Sequence, residues 1–470
     1  MQDAARLQAA IDIIHTWMDN PRPADRLMAA YFRDRRYIGG GDKKFISHVV
    51  YTTFRHWRRS EYIWKAKDVG ARKRVFAASI FSDICTYLEL KEACTGERYV
   101  PNALSASEEN VLDDIPENWF ADAPEDVMLE IPVAAYKPLQ EVFGDQLPKQ
   151  MEAILIEAPV DIRVNTLKSD KDAVKAALKD VDLDAEDMKM SPEGVRVHQR
   201  FPFHTIDAYR EGQFEVQDEG SQILAHLCAP KPGQTVVDFC AGAGGKTLAL
   251  AALMQNKGTI YACDIIERRM EELAKRCKRS GVHNVRRQLL SDENDKWVKK
   301  HKGKADVVLI DAPCSGTGTW RRNPDARWRL SKADIAEYHR IQLNILESAS
   351  RLVNAGGKVV YATCSMLPQE NTHTVQKFLE NHPEFELVQA QDILEGQNLI
   401  NLPYAQPYLR LTPLEHGCDG FFGAVLQKKA QEPKPEAEKK SVETPKAKKE
   451  STPASDKAPA ETTQEKPEKV

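Results

Sequence analysis

The stretch that decides the fold is Val236-Val237-Asp238-Phe239-Cys240-Ala241-Gly242-Ala243-Gly244-Gly245-Lys246-Thr247. It joins a short apolar run to a glycine-rich turn, and a helix-forming segment follows. Such a turn lets a ligand approach the backbone, while the N–H groups at the start of the helix point toward that ligand. A Walker loop is excluded, because the GxxxxGK[ST] frame that ends at Thr247 would need glycine in place of Cys240. The turn alone leaves three interpretations open: a dinucleotide site, another nucleoside site, or a tight connection.

Outward from this turn, short apolar segments alternate with helix-forming segments. Strands are predicted at residues 235–239, 259–263, 285–290, 306–310 and 358–362, and helices near residues 247–254, 267–279 and 334–353. Ser331 followed by Asp334 is typical of a capping box at the start of the last helix. The alternation predicts an α/β fold with a parallel sheet covered on both faces, and with any ligand at the carboxyl ends of the strands.

Acidic residues close three of these strands. Asp264 ends the second strand, Asp292 follows the third, and Asp311 ends the fourth. An acidic residue about twenty positions after the glycine-rich turn suits hydrogen bonding to ribose hydroxyls. Any one of these residues is as readily explained as a helix cap. Because polar strand ends converge on one edge of the sheet, however, they predict a ligand that contains a ribose.

Two of the nine cysteines also lie at predicted strand ends. Cys314 follows the fourth strand in Pro-Cys-Ser-Gly, and Cys364 follows the fifth in Thr-Cys-Ser. A single cysteine at such a place is usually a small buried apolar residue. Two at matching strand ends, each beside small or polar residues, favour reactive thiols next to the ligand crevice. Cys240 and Cys263 are expected to line the ligand, and the other five cysteines are expected to be structural.

Composition divides the chain into five predicted parts. They are a helical domain at residues 1–98, an acidic linker with short helices at 99–150, a small α/β subdomain at 151–225, the sheet-forming domain at 226–430 and a disordered tail at 431–470. Asp25 is predicted to cap a helix in the first part, Gly39-Gly40-Gly41 to break one, and Asp170 to cap one in the third. The tail has nine Lys, nine Asp or Glu, six Pro and no aromatic residue, so it cannot bury enough apolar surface to fold.

The charge is distributed unevenly along the 470 residues. The net charge is −4, which argues against a uniformly basic nucleic-acid binder. Residues 33–74 nevertheless hold thirteen Lys and Arg against four Asp and Glu, whereas residues 99–136 hold nine acidic residues and no basic one. A solvated helix face would explain the basic block, but the block is interleaved with aromatic residues, a pattern that also suits RNA or DNA binding, so both interpretations stay open. Its candidate phosphate contacts are Arg33, Arg35, Arg36, Lys43 and Lys44.

Other classes of protein are disfavoured by what the sequence lacks. No CxxC pair occurs, which argues against a zinc ribbon and a disulfide framework, so no metal is expected. No apolar run approaches the roughly 20 residues of a membrane span, and MQDAARLQAA does not have the order of a signal peptide. These observations predict a cytoplasmic protein without a membrane partner, and we expect a monomer.

Three longer motifs occur in order along the sheet-forming part: CAGAGGKTLALA from Cys240, DAPCSGTGTWRRNPDARW from Asp311 and YATCSMLPQEN from Tyr361. They resemble the ordered signature motifs of the Nop/Sun (RsmB-type) family of S-adenosylmethionine-dependent RNA cytosine-C5 methyltransferases. RVNTLKS, VQDEGSQ and DGFF also match, so the resemblance covers residues 158–428. Residues 22–59 resemble the NusB-like helical extension of some bacterial members. The chain departs from the family where Ala243-Gly244 replaces Pro-Gly and where Gln369 replaces glutamate.

The resemblance implies a Rossmann-like methyltransferase sheet, S-adenosyl-L-methionine as cofactor, and RNA as partner, above all 16S ribosomal RNA. It implies that Cys364 is the nucleophile and that Cys314 helps to release the product. It places Asp311 by the methyl donor and the cytosine, Asp264 at the ribose hydroxyls and Asp292 on the adenine side. The residues that would hold the methionine part are Cys240, Ala241, Gly242, Ala243, Gly244, Gly245 and Lys246.

Four alternatives stay open beside this hypothesis. A transfer-RNA cytosine-C5 methyltransferase would share every motif. An RNA-binding ribosome-assembly factor with a vestigial methyltransferase fold would not need Lys246 and the two cysteines. A DNA cytosine methyltransferase would use Cys314 and would have no task for Cys364. A nicotinamide dehydrogenase is disfavoured, because the turn lacks the GxGxxG frame.

Overall fold

A computed structural model describes residues 1–66, 68–113, 120, 122–397, 399 and 407–430 of the protein. The predicted disordered tail, Gln431–Val470, lies outside the described residues. In the part that is described, no helix combines the length and the apolar character needed to cross a membrane.

The N-terminal part is helical, as predicted. Its helices are α1 (Asp3–Asp19), α2 (Ala24–Asp34), α3 (Gly40–Arg55), α4 (Trp57–Ile63), α5 (Ala71–Phe81), α6 (Tyr87–Ala93) and α7 (Ala106–Asp113). They surround an apolar core in which the Trp17 ring meets the edges of Phe54 and Trp57, with centroids 4.8 and 5.2 Å apart. Several aromatic residues of the basic block therefore belong to this core, and two of its arginines, Arg55 and Arg74, are buried as well, while Arg33, Arg36 and Lys44 are exposed.

The predicted helix cap at Asp25 is wrong. α2 begins at Ala24, so Asp25 lies inside its first turn. The backbone N–H of Ala24 donates to Oδ2 of Asp325 at 3.2 Å, and this carboxylate lies 301 residues further along the chain. A cap supplied by so distant a segment leaves no local signal in the sequence. The predicted glycine break is also shorter than expected, because Gly40 and Gly41 already begin α3.

The acidic segment carries short helices, as predicted, but its second half is not a linker. After α7 come α8 (Glu125–Met128), α9 (Val133–Phe143) and α10 (Leu147–Leu155). Apolar residues of α9 and α10, such as Leu139 and Met151, pack with Trp320, Ile335 and Met366 of the sheet-forming part. The apolar face of these helices is thus buried, and buried apolar surface fixes a segment in place.

The small α/β subdomain contains a four-stranded antiparallel sheet in the order β2-β3-β1-β4. Its strands are β1 (Val160–Val164), β2 (Ala185–Asp187), β3 (Gly194–Val197) and β4 (Phe214–Val216), with helices α11 (Lys171–Lys179) and α12 (Asp207–Arg210). Asp170 caps α11 as predicted, because its side chain accepts the N–H of Ala173 at 2.9 Å.

The large sheet has the order β10-β12-β9-β8-β5-β6-β7, with β11 paired to β12. Its strands are β5 (Thr235–Asp238), β6 (Thr259–Asp264), β7 (Val285–Leu289), β8 (Ala305–Asp311), β9 (Val353–Thr363), β10 (Phe385–Val388), β11 (Leu409–Leu411) and β12 (Phe421–Lys428). Strands β5 to β9 pair in parallel, whereas β12 runs antiparallel to β9 and β10. The five predicted parallel strands are therefore confirmed, and β9 begins five residues earlier than expected.

Helices cover both faces of this sheet. They are α13 (Glu219–Leu227), α14 (Gly245–Leu253), α15 (Glu267–Ser280), α16 (Lys296–Lys300), α17 (Pro324–Trp328), α18 (Lys332–Ala349), α19 (Thr372–Asn381), α20 (Ala390–Glu395) and α21 (Pro413–His416). Alternate strand residues serve the two cores: Val236 and Val307 belong to one, Val237 and Val308 to the other. Ser331 and Asp334 form the predicted capping box of α18.

The N-terminal helices pack on the segment around α17. Besides the contact between Ala24 and Asp325, Nε1 of Trp328 donates to the carbonyl of Phe54 at 2.6 Å. The guanidinium of Arg55 donates to the carbonyl of Arg321 at 3.1 Å. Since residues 312–328 follow β8 directly, these contacts connect the helical part to the segment that leaves the carboxyl end of the sheet.

Candidate active site

The two cysteines that the sequence singled out meet at the carboxyl end of the sheet. Cys314 follows β8 and Cys364 follows β9, and because these strands pair in parallel, their following residues emerge side by side. The two Sγ atoms lie 3.3 Å apart, and both residues are half-buried. The hydrogen bond to Cys364, together with burial, raises the pKa of the Cys314 thiol well above its ordinary value.

A second layer of polar groups lies behind the thiols and centres on Glu370, which is fully buried. Its carboxylate accepts the backbone N–H of Ser315 at 2.8 Å and the hydroxyl of Ser365 at 2.6 Å. It also accepts a hydrogen bond from the hydroxyl of Ser315 and one from Nε2 of Gln342, the latter at 2.9 Å. Ser315 and Ser365 are the residues that follow the two cysteines, so one carboxylate holds both thiol-bearing loops.

Backbone contacts fix the same loops from another side. The N–H of Gly318 donates to the carbonyl of Cys364 at 2.9 Å, and the N–H of Gly420 donates to the carbonyl of Gly318 at 2.8 Å. A Cβ atom on Gly318 would lie 2.1 Å from the carbonyl oxygen of Gly420. Only glycine therefore allows the loop after β8 to cross the start of β12 this closely.

Three of the matched motifs meet in one group of charges. Arg321 and Arg322 both donate to Asp419, at 2.5 and 2.6 Å, and Arg322 also donates to Asp218 at 2.7 Å. Asp218 comes from VQDEGSQ and Asp419 from DGFF, while the arginines belong to the motif of Cys314. Side chains from three segments that are distant in the sequence thus form one group of ion pairs.

Lys246 reaches from the glycine-rich turn to the end of β8. Its Nζ lies 2.7 Å from Oδ2 of Asp311, and the lysine side chain is 10% exposed. Burial lowers the pKa of the Lys246 ammonium, but the charge of Asp311 and the hydrogen bond to it raise that pKa more. The end of β8 therefore holds a buried ion pair, in which the ammonium of Lys246 is matched by the carboxylate of Asp311.

The glycine-rich turn and Asp264 form a continuous edge. The N–H of Gly242 donates to Oδ2 of Asp264 at 2.9 Å, and the N–H of Ile266 donates to Oδ1 at 2.8 Å. Gly242 and Gly244 have positive φ angles of 55° and 88°, which glycine adopts without strain. Since a carboxylate has about four acceptor positions, Asp264 keeps two for a ligand.

Asp238, at the end of β5, is a site residue that the sequence analysis missed. It is buried, its Oδ2 accepts the hydroxyl of Thr247 at 2.7 Å, and its Oδ1 has no hydrogen-bond partner among the described residues. Burial raises the pKa of this carboxyl to about 7. A buried oxygen without a partner, next to the glycine-rich turn, can accept a hydrogen bond from a ligand.

Apolar side chains flank the acidic edge. Ile265 and Leu289, which follow and end the neighbouring strands β6 and β7, are 63% and 45% exposed. Asp292 lies in the exposed turn after β7, where its carboxylate accepts the N–H of Asn294 at 2.7 Å. The edge thus offers carboxylates for hydroxyl groups and an apolar surface for a flat ring.

The basic residues expected to contact phosphate lie apart from this cluster, on α2, α3 and the turn between them. Arg33, Arg36 and Lys44 are exposed, and Arg35 and Lys43 are half-buried. The guanidinium of Arg35 lies over the Tyr31 ring at 3.7 Å from its centroid. These side chains interleave with aromatic rings, as the sequence pattern predicts.

No group of three or more His, Cys, Asp or Glu side chains in the described ranges is arranged to hold a metal ion. All nine cysteines are free thiols.

Four further residues of this cluster were not predicted from the sequence: Glu370, Ser315, Ser365 and Gln342. Glu370 lies inside the quoted motif YATCSMLPQEN, and a serine follows each of the two cysteines. The repeated Cys-Ser pair was the available signal. Its meaning depends on the pairing of β8 with β9, which local sequence does not reveal.

Comparison with known proteins adds two family matches. Residues 225–427 match the family described as 16S rRNA methyltransferase RsmB/F, and residues 132–204 match its ferredoxin-like domain. Together the matches cover more than half of the chain.

One curated relative is a protein of Synechocystis sp. named "Probable ribosomal RNA small subunit methyltransferase B". It is 34% identical over 291 residues, which are 62% of this chain and 65% of the relative. The matched stretch therefore spans just under two thirds of that protein.

Two solved structures are also similar. The structure of PH0851 is 26% identical, with a TM-score of 0.72, and the match covers 91% of this chain and 99% of that one. A methyltransferase homologue from Pyrococcus horikoshii is 27% identical, with a TM-score of 0.55, over 64% of this chain and 97% of that one. The motifs, the site that they build and these matches agree, and the chain belongs to the RsmB/F family of the Nop/Sun methyltransferases.

Proposed function

We propose that this protein methylates carbon 5 of a cytosine in RNA, with S-adenosyl-L-methionine as methyl donor and small-subunit (16S) ribosomal RNA as substrate. The observation that carries the proposal is the pair of thiols, Cys314 and Cys364, 3.3 Å apart at the ends of adjacent strands. Two adjacent thiols suit a reaction in which one thiol forms a covalent bond to the base and the other helps to break that bond.

The residues at the sheet edge fit the proposed cofactor. Asp264 has acceptor positions for ribose hydroxyls, Ile265 and Leu289 offer an apolar surface to the adenine, and Oδ1 of Asp238 has no partner in the described structure. The open glycine-rich turn leaves room for the methionine part. When bound, S-adenosylmethionine supplies a methyl group on a positively charged sulfur.

The thiols would act on the cytosine in sequence. Carbon 5 of cytosine is a poor nucleophile, so Cys364 adds first to carbon 6 and makes carbon 5 nucleophilic. After methylation, a base removes the proton from carbon 5, the bond between Cys364 and carbon 6 breaks, and Cys364 leaves as thiolate. We assign the release step to Cys314. Asp311 and Lys246 would stabilise the charge on the cytosine adduct.

A cytosine in a helix is inaccessible to a thiol, so the target base must be unpaired or turned out of the helix. The choice of ribosomal RNA rests on the family description and on the name of the Synechocystis relative. We place the reaction in the cytoplasm, where a reducing environment keeps the cysteines as thiols.

The test compares three single variants on unmodified small-subunit RNA. Cys364→Ser should abolish methyl transfer, whereas Cys314→Ser should accumulate a covalent protein–RNA adduct on a denaturing gel. Cys85→Ser is the matched control, because Cys85 is a half-buried free thiol in the helical part, and it should behave as wild type. Full activity of Cys364→Ser, or loss of activity without adduct in Cys314→Ser, would contradict the assigned roles.

The substrate has its own test. Bisulfite sequencing of RNA from a strain that lacks the gene should show one 5-methylcytosine lost from small-subunit ribosomal RNA. Loss from a transfer RNA instead would reassign the substrate. Calorimetry with S-adenosylmethionine tests the cofactor, and absence of binding would favour a vestigial fold.

A further inference from the structure

The two thiol-bearing loops repeat one arrangement. In each, a cysteine is followed by a serine, and the serine pair Ser315 and Ser365 lies as close as the cysteine pair: their Oγ atoms are 3.2 Å apart. Both serines donate to Glu370. In each loop, the peptide unit that joins the cysteine to the serine is therefore linked to this one carboxylate.

Glu370 is an unusual carboxylate to bury. It is fully buried, and it forms no ion pair with a lysine, arginine or histidine of the described residues. A buried carboxylate is strongly destabilising unless hydrogen bonds replace its water. Its donors come from the loop of Cys314, the loop of Cys364 and helix α18, so its hydrogen bonds are made to the parts that carry the thiols.

Helix α18 fixes this carboxylate to the loop after β8. Nε2 of Gln342 donates at 2.9 Å to Glu370 and also at 2.9 Å to the carbonyl of Pro313, the residue before Cys314. The peptide units on both sides of Cys314 are therefore held through one buried group. On the loop of Cys364, the Glu370 carboxylate bonds to Ser365, which is 1% exposed.

We propose that Glu370 is a positioning residue that sets the spacing between Cys314 and Cys364 by holding the serine that follows each of them. The inference rests on the proposed function, because a set spacing matters when both thiols act on one cytosine. Two groups that are already held in the reactive arrangement react faster, because the entropy cost of ordering them was met when the protein folded. Without Glu370 the thiols remain chemically intact, and the backbone bond between Gly318 and Cys364 stays, but the shared carboxylate that holds both serines is lost.

A dithiol probe measures this spacing without RNA or cofactor. Phenylarsine oxide condenses with two neighbouring thiols, forming two As–S bonds and releasing one water, with no change of oxidation state. Its affinity reports how well the two thiols are held together, because the second bond is intramolecular. Cys314→Ser defines the signal, since it removes one of the two thiols.

Two substitutions separate position from charge. Glu370→Gln keeps the shape: its oxygen can accept the Ser315 N–H and Gln342, and the serine hydroxyls can rotate to accept from its amide. It should bind the arsenical within about threefold of wild type. Glu370→Ala removes every contact and should weaken binding by about tenfold or more, as expected for a lost effective concentration.

Asp306→Asn is the matched control. Asp306 is the second residue of β8, at the opposite end of the strand from Cys314, and its carboxylate accepts the N–H of Thr235 at 2.8 Å and the amide of Asn354 at 2.9 Å. It tests whether general loosening of the sheet changes the arsenical affinity, and it should not. Wild-type affinity in a folded Glu370→Ala variant, or an equal loss in Asp306→Asn, would overturn the proposal.

Turnover supplies the second measurement and separates the two proposals. Glu370→Ala should lower kcat by about tenfold or more with little change in KM, and it should accumulate the covalent adduct that Cys314→Ser accumulates. Glu370→Gln should restore most of kcat. If Cys314→Ser accumulates adduct and Glu370→Ala does not, the positioning role fails while the proposed function stands. If neither variant forms adduct, the proposed function itself fails.

Discussion

A buried carboxyl group joins the helical part of the molecule to the segment before α9. Glu130 is fully buried, and its carboxylate accepts the N–H groups of Arg58 and Arg59 at 2.8 and 3.0 Å. It holds a left-handed backbone conformation, with φ of 52°. Burial raises the pKa of Glu130 to about 7, although both backbone hydrogen bonds and the nearby arginines lower it. One residue thereby makes the stability of this junction depend on pH.

The raised pKa predicts the direction of that dependence. Because the pKa of Glu130 is higher in the folded state, its contribution to stability is fully present below pH 4.5 and is lost as pH rises to about 7. One such group changes the free energy of unfolding by at most about 1.4 kcal/mol per pH unit. Glu130→Gln should remove this slope, as measured by urea denaturation at pH 5, 6, 7 and 8.

The difference in pH slope between wild type and Glu130→Gln reports Glu130 alone, because the other buried carboxyl groups titrate in both proteins. Asp238, with a pKa of about 7, contributes a slope of the same sign to each. Parallel curves for wild type and Glu130→Gln would contradict the assignment of the raised pKa to this residue.

At the scale of residues, the sequence predicted the groups to which we assign the chemistry and missed the groups that hold them. Cys314, Cys364 and Asp264 stand at strand ends, and a strand end is visible in local patterning. Glu370 is an ordinary glutamate in the sequence, and its role follows from hydrogen bonds to Ser315 and Gln342, 55 and 28 residues away. Such contacts leave no periodic signal.

Three elements build the site: strand β8, the loop that follows it, and strand β12, whose start this loop crosses. The loop after β8 reaches the start of β12, where Gly318 and Gly420 meet backbone to backbone. The same loop is bonded to the carbonyl of Cys364. The position of Cys364 therefore depends on a contact that neither β8 nor β9 makes alone.

Gly318→Ala should disturb this contact. The new methyl group would lie 2.1 Å from the carbonyl oxygen of Gly420, and backbone atoms cannot move aside easily. Overpacking of this kind destabilises a protein by about 1–3 kcal/mol, which chemical denaturation would measure. Methyl transfer should fall in parallel, because the loop that carries Cys314 must shift.

Gly41→Ala provides the control for this substitution. Gly41 lies in the first turn of α3, and a Cβ atom there meets nothing within 4 Å. Alanine in a helix is favoured over glycine by up to about 1 kcal/mol, so this variant should be as stable as wild type or more stable. Equal losses at both positions would show that the crossing has no special role.

At the scale of elements, the sequence predicted the parallel strands β5 to β8 to within one residue at each end. The apolar runs of β5, β6 and β8 are short and end at Asp238, Asp264 and Asp311, whereas β7 is mostly polar. It missed the early start of β9 at Val353, because residues 353–357 include two glycines and an asparagine, which are unfavourable in strands. Pairing with β8 overrides that preference, since Ala305 is matched to Val353.

The whole molecule separates a basic aromatic-rich surface from the thiol site. Arg33 and Arg36 are exposed near α2, while contacts of Ala24, Phe54 and Arg55 fasten the helical part to the loop after β8. An RNA backbone bound at α2 and α3 would thus be held by the N-terminal helical part, which packs on the segment after β8 that carries Cys314.

Replacing Arg33, Arg35 and Arg36 together by alanine should weaken RNA binding and flatten its dependence on salt. Each lost phosphate contact should reduce the slope of log affinity against log salt by about 0.7 for single-stranded RNA. Binding titrations at several salt concentrations measure that slope.

The matched control removes three lysines of α11. Lys171 and Lys175 lie 3.2 and 2.5 Å from Asp187, and Lys179 lies 2.7 Å from Asp184, so their charges are already paired. Replacing them by alanine should leave the salt slope unchanged. If both triple variants behave alike, the basic block is only a solvated helix face.

At this scale the sequence predicted a helical N-terminal part and a sheet domain, but not how they join. The junction depends on Asp325 reaching the first N–H of α2 and on Trp328 reaching Phe54, across 301 and 274 residues. In the sequence, Asp325 and Trp328 belong only to a matched motif. Their second task becomes visible when the two parts are packed together.

The place of β12 has a consequence for how the protein is made. β12 pairs with β9 from Lys358 to Thr363, yet it is translated almost sixty residues later. Until Phe421 has been synthesised, the strand that leads to Cys364 has an open edge on that side, and Gly318 has no crossing partner. A nascent chain therefore presents a pairing edge beside its reactive thiols. The arrangement of the two thiol-bearing loops is complete only when β12 arrives, so a translation product that ends before Phe421 should lack the proposed activity.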